Sequence, residues 1–318
     1  MKKLIAILLV SLILISSVFA AGAGEVTTSD TPKIGALLPS LSFDFQLNMS
    51  EGIQRAGDEF GYEVVINDYN NDAELMLTGL DTMKSMGVKA LYAIFSSPQV
   101  ASDFMNQNPD IAVINQGTPV DGAKAWTEND YITLGNQFIE ALDIFVTENN
   151  ITSGDIAGLW LETCEIEDND YYTAMMQIRE IIDQWCAEKD GDFEFVASFF
   201  PKNDEEASDV TAQILNGYPD VKFFFCFNNG YAIAASNEIS AAVSDTSDYF
   251  VFSSEGDPES FRLISSGTSP YRACAYADIE ESGYQTGLQL IRWIEEGEIE
   301  NVVVTKALVD SRNVDEYL

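Results

Sequence analysis

Between residues 34 and 304 the chain alternates short apolar runs with longer segments whose apolar residues recur every three or four positions. No other feature restricts the fold as much. Short apolar runs bounded by turn residues are buried strands, and apolar stripes at helical spacing are amphipathic helices. In strict alternation they make parallel βαβ units, with helices on both faces of a sheet. The pattern predicts strands over 34–38, 62–66, 88–95, 111–115 and 131–134, with helices over 49–60, 73–86, 98–106 and 138–148. It then starts afresh, with strands over 156–161, 193–199, 221–227, 249–253, 271–276 and 302–305. Helices are expected over 171–186, 205–215, 231–243, 258–265 and 281–296. Gly61 and Gly87 stand where the first two helices should stop. The expected fold class is α/β: two Rossmann-like lobes, each a parallel sheet flanked by helices.

Size agrees with two lobes. The first residues, Met1-Lys2-Lys3, then an apolar run to Val18 and the small-residue site ending at Ala20, read as a secretory signal peptide over 1–20. Residues 21–31 are a Gly/Ser/Thr-rich leader. About 290 residues remain, more than one core usually serves. The expected location is therefore periplasmic or extracellular.

Charge and missing residue types exclude whole classes. The chain has 16 Lys+Arg against 52 Asp+Glu, a net charge of −36, which repels nucleic acid. It has no histidine, so Ser-His-Asp and Cys-His catalysis and His-ligated zinc are absent. Cys164, Cys186, Cys226 and Cys274 are widely spaced and form no CxxC pair. Export invites disulfides; Cys226 and Cys274, inside apolar strand runs, favour free buried thiols instead. The acidic loop with Glu165, Glu167, Asp168 and Asp170 lacks the glycine and terminal glutamate of a calcium loop and reads as a solvated segment. No metal, no cofactor and no enzymatic activity are expected.

Several segments together resemble a known family. IGALLPSLSFDFQLNMSEGIQRAGDEFGYEVVINDYNND, GVKALYAIFSS, IAVINQG, DVKFFFCFNNGYAIAASNEI and YFVFSSEGDPESFRLISSG occur in that order, with VTKALVDSRNVDEYL at the end. The series is similar to the type I periplasmic binding proteins, in the cluster of ribose- and galactose-type sugar receptors. The resemblance implies a ligand cleft between the lobes, closed by hinge bending. It also implies three crossovers, near Gly135, near Ala277-Asp278 and near Thr305. One lobe would hold 31–134 plus 278–304, and the other 135–277 plus 305–318.

By the same resemblance, Ser42, Phe43, Asp44 and Phe45 form the first ligand loop, where an aromatic ring stacks on a sugar face. The competing reading is core packing for the two phenylalanines and solvent exposure for Ser42 and Asp44. Asn228 matches the family's ligand asparagine, with helix capping as its alternative role. Glu255 matches a ligand carboxylate that is aspartate in the family. Gln116 replaces a second aspartate, Tyr171 or Tyr172 stands near a missing arginine, and Ala277 or Asp278 occupies a glutamine position. These departures leave the guest open among sugars, polyols, nucleosides and furanosyl signals. The implied partners are a small hydroxylated ligand, most simply a sugar, and the permease subunits of an ABC importer. The alternative partner is a membrane sensor, and the protein itself is expected to be a monomer.

Overall fold

The apolar runs form two six-stranded sheets. A computed structural model describes residues 31–318 apart from Phe43, Thr118, Asp168, Asn169, Asp190 and Gly191, and of Asp44 and Asp170 only the backbone. The expected signal peptide and nearly all of the leader lie outside the described residues.

The first sheet contains β1 (Lys33–Leu38), β2 (Glu63–Asp68), β3 (Ala90–Ala93), β4 (Ala112–Gln116), β5 (Ala125–Asn129) and β11 (Val302–Val304). Its order is β11-β5-β4-β3-β1-β2, and every pairing is parallel. The second sheet contains β6 (Gly154–Leu159), β7 (Phe193–Phe199), β8 (Val221–Cys226), β9 (Phe250–Ser253), β10 (Tyr271–Ala277) and β12 (Lys306–Asp310). Its order is β12-β10-β9-β8-β6-β7. Only β12 runs antiparallel, against β10.

Helices cover both faces of each sheet, so the central strands are apolar on both sides. In β8, Phe223 and Phe225 enter the core beneath α4 (Tyr131–Glu148) and α5 (Asp170–Glu188). Phe224 and Cys226 point the other way, beneath α6 (Asp204–Gly217), α7 (Asn229–Ala242) and α8 (Pro258–Ser266). Alternation of side chains along a strand assigns the two sets. On the first sheet, α1 (Asp44–Phe60) and α9 (Ile279–Glu296) cover one face, while α2 (Ala73–Ser85) and α3 (Pro98–Gln107) cover the other.

One expected strand is a helix. Residues 131–134 begin α4, whose buried Leu134, Phe138, Ala141, Leu142 and Val146 belong to the second sheet's core. Asp130 caps this helix by accepting from the Thr133 N–H at 2.9 Å. The Thr133 hydroxyl and backbone N–H hold the Asp130 carboxyl below the ordinary range. The fifth strand of the first sheet lies earlier, at β5. The expected last strand, over 302–305, is β11, and β12 beyond Thr305 is a further strand that the pattern does not predict.

The chain therefore passes between the sheets three times: between β5 and α4, between β10 and α9, and between β11 and β12. The first passage is at Asp130, not near Gly135, because Leu134 already packs in the second lobe. Asp130 and Asp278 each occupy a passage as a helix N-cap.

All four cysteines are buried with free thiols. Cys226 and Cys274 share a register across β9, both opposite Ser253. They are thus two strand spacings apart, about 9.6 Å, beyond disulfide reach. Burial pushes Cys164 and Cys186 up to about 11 and Cys274 up to about 12. Titration with a thiol reagent should count four thiols in denaturant and almost none in the native protein at neutral pH. A native count above one would contradict this packing.

Candidate functional site

All three passages leave from carboxyl ends of parallel strands, at Asn129, Ala277 and Val304. The strand tips of both sheets therefore face the region where the lobes join, the position at which open α/β sheets bind ligands.

On the first lobe's side, Gln116 ends β4. Its Oε1 accepts hydrogen bonds from the Tyr92 hydroxyl and from Thr127 Oγ1, the latter at 3.0 Å. Tyr92 is fully buried, and burial raises its pKa far above the ordinary tyrosine range, with Tyr171 adding to the rise. A carboxylate at position 116 would place a charge in this dry setting, whereas a neutral amide satisfies both hydroxyls. These bonds use the amide oxygen and leave the NH2 end of Gln116 as the donor side.

On the second lobe's side, Phe227 closes β8 in phase with Phe223 and Phe225. Its ring meets Tyr171 edge-on at 5.9 Å, Tyr131 at 6.2 Å and Trp160 at 6.2 Å. Tyr171 is 40% exposed and interacts electrostatically with Tyr92 of the first lobe, so the two walls approach each other here. Asn228 follows Phe227 and caps α7, with its Oδ1 accepting from the Tyr231 N–H at 2.8 Å. Asn229 accepts from the Tyr271 hydroxyl at 2.6 Å. The exposed Glu255 accepts from the Asn229 N–H at 3.4 Å. The loops after β8 and β9 are also tied together by Ser254, whose hydroxyl donates to the Phe227 carbonyl.

Of the residues singled out by sequence, Gln116, Tyr171, Asn228 and Glu255 stand at these facing tips. Ser42 is exposed in the turn after β1, its hydroxyl 2.8 Å from that of Ser40. Asp44 contributes only backbone to the description, as the first residue of α1, and Phe43 lies outside the described residues. Phe45 is in the first turn of α1 rather than in a loop, half-buried against the first lobe's core. Tyr172 packs on the second lobe's core, unlike its neighbour Tyr171. Asp278 is exposed and caps α9, accepting from the Glu281 N–H at 2.9 Å. Trp160 and Tyr276 are packing residues: Trp160 stacks on Phe225 at 4.8 Å, and Tyr276 meets Phe261 and Tyr317.

Sequence reasoning missed Phe227, Tyr131 and Tyr92. Phe227 carried a readable signal, because it continues the inward phase of FFFCF one step past the strand end. A recess of about 530 Å³ lies at the opposite end of the second lobe. There Arg272 donates to the carbonyls of Thr246, Tyr249 and Gly267, which accounts for its guanidinium as a structural clasp. Among the described residues, no three His, Cys, Asp or Glu side chains gather to hold a metal, and no helix is long and apolar enough to cross a membrane.

Comparisons with known proteins agree with this fold. A solute-binding protein of an ABC transporter from Bacillus halodurans C-125, solved with bound myo-inositol, is similar at TM-score 0.72 and 20% identity, covering 91% of this chain and 98% of that one. A periplasmic solute-binding protein from Actinobacillus succinogenes 130z, solved with D-allose, matches at TM-score 0.72 and 18% identity, over 90% and 100% of the two chains. A Caulobacter myo-inositol binding protein matches at TM-score 0.69 and 17% identity, over 92% and 98%. Comparison with curated proteins finds no match. The family model for the periplasmic binding protein domain matches residues 34–298, and the chain belongs to that family.

Proposed function

We propose that this protein is an exported receptor that captures a small hydroxylated molecule, a sugar or polyol, and delivers it to an ABC-type importer. The observation that carries the reading is the facing of two unlike walls. In this reading Gln116 offers an amide beside Tyr92 from the first lobe, and Asn228, Glu255 and the rings of Tyr171 and Phe227 serve the second; the influence of Tyr171 on Tyr92 supports the pairing of the two sides. Amides and a carboxylate pair with hydroxyls, while aromatic faces cover the C–H side of a sugar ring. The solved proteins of this shape that hold myo-inositol and D-allose support the same class. Capture proceeds by closure and release, without bond chemistry.

In this reading one lobe comprises 31–129 and 279–304, and the other 131–277 and 306–318. Asp130, Asp278 and Thr305 then form the hinge between them. The acidic surface keeps the protein apart from nucleic acid, and it works as a monomer outside the cytoplasm.

A thermal-shift panel of sugars, polyols and nucleosides, including myo-inositol and D-allose, tests the proposal. A ligand at about a hundred times its Kd adds about 2.7 kcal/mol of stability, enough to raise Tm by several degrees. Small-angle scattering should show a smaller radius of gyration in its presence. A panel at millimolar concentration that moves neither quantity would remove the proposal.

A further inference from the structure

Lys306 brings a cation to the strand tips of the second sheet. Lys306 begins β12 directly after the third passage, and its Nζ donates to the Ser254 carbonyl at 2.7 Å. Because β10 lies between β12 and β9, the side chain must extend across the carboxyl end of β10 to make that bond. The Lys306 carbonyl accepts from Gln137 Nε2 of α4 at 2.7 Å, so its backbone is anchored as well. Ser254 is the residue that ties to Phe227, and it directly precedes Glu255. Lys306 therefore lies beneath the loop that presents the carboxylate.

No carboxylate pairs directly with Lys306 among the described residues, but Glu255 acts on it from farther away. Burial pushes the ammonium below the ordinary lysine range, and Glu255, with the Cys274 thiol contributing less, pulls it back in part. Nearby, Gln116 and Asn228 present uncharged amides, and Asp257 in the same loop is taken up in capping α8, accepting from the Ser260 N–H at 2.7 Å. Asp278 remains in solvent as a helix cap. When the lobes close, Glu255 loses water, and a lone carboxylate would resist that move. An ammonium in the same loop system cancels its charge.

Resting on the carbohydrate reading above, we infer that Lys306 is a specificity-determining residue of the cleft. Balanced against Glu255, it selects uncharged polyhydroxylated guests over both sugar acids and amino sugars. A guest carrying either sign would leave one unbalanced charge in the closed site. Without Lys306, the remaining Glu255 would favour a cation.

Calorimetric titration with myo-inositol, D-allose, D-glucuronate and D-glucosamine tests this on wild type, Lys306→Met and Lys306→Arg, each first checked for an intact fold. Wild type should bind a neutral probe and prefer it over both charged ones. Lys306→Met should lose roughly tenfold or more in affinity for the neutral probe and shift its preference towards D-glucosamine, while Lys306→Arg keeps the neutral preference. Neutral binding by Lys306→Met within about twofold of wild type, or a wild-type preference for D-glucuronate, overturns the inference. If wild type binds none of the four and the wider thermal-shift panel is also silent, the carbohydrate reading itself falls; a hit in that panel replaces the neutral probe and the same comparison is made with it. The charge pairing is decided separately, by an NMR titration of the Lys306 ammonium. Glu255→Gln should lower its pKa, and an unchanged value would show that Glu255 and Lys306 are not coupled.

Discussion

Replacing Asn228 with serine should leave the unliganded protein almost as stable as wild type and remove most of its ligand response. Asn228 has one duty that is already visible, capping α7 through the Tyr231 N–H at 2.8 Å. A serine hydroxyl caps a helix about as well as an asparagine amide, whereas alanine loses about 1 kcal/mol. Serine thus separates the two roles of the side chain, because it keeps the cap and removes the amide donors. Loss of one hydrogen bond to a guest, with its hydroxyl left unpaired in a closed cleft, costs about 1–3 kcal/mol, roughly a 5- to 150-fold weakening. Titration calorimetry on the ligand found by the panel reads the affinity, and the unliganded Tm reads the cap. Wild-type affinity in Asn228→Ser would reduce Asn228 to a cap and nothing more.

Gly52→Ala is expected to destabilise the protein by about 2 kcal/mol or more, although helix propensity alone predicts a gain of about 1 kcal/mol. Gly52 lies on α1 where it crosses α9, and an added Cβ would sit 1.9 Å from the Glu280 carbonyl oxygen and 2.5 Å from the Tyr284 nitrogen. The crossing is close from the other side too, since a Cβ on Gly283 would lie 2.3 Å from the Met49 carbonyl oxygen. Both obstacles are backbone, which has no rotamer to yield, so the helices must part. Gly217→Ala, at the end of α6, is the control: nothing lies within 4 Å of the added atom, and the substitution should be neutral or slightly stabilising. Urea unfolding of both variants checks the sign. A Gly52→Ala protein as stable as wild type would mean that the two helices are farther apart than described.

Strands buried on both faces declare themselves by composition, which is why β1, β3, β6, β8 and β9 were readable from their apolar runs. The one exchange of helix for strand has a plain cause. YITL is rich in β-branched and aromatic residues, yet Asp130 caps it and Leu134, Phe138, Leu142 and Val146 continue it at helical spacing. The strand that it displaced, β5, reads AWTEN and buries only Ala125 and Thr127, so its polar residues concealed it. At the candidate site, Asn228 and Glu255 were legible through the family resemblance, and each stands two residues past a strand end. Tyr92, Tyr131 and Lys306 were not. Their positions depend on which strands are neighbours, and Lys306 meets a carbonyl 52 residues away only because β12 pairs with β10.

The pairing of α1 with α9 also sets a timetable for the chain. Residues near position 52 wait for partners near position 283, and the first sheet gains its last strand only at Val302–Val304. Synthesis proceeds from the amino end, so the earlier half must leave the ribosome with one face of its sheet only partly covered, by α1. That face is sealed only when the chain is nearly complete, and until then the polypeptide stays loose enough to be threaded, held by a chaperone or cut.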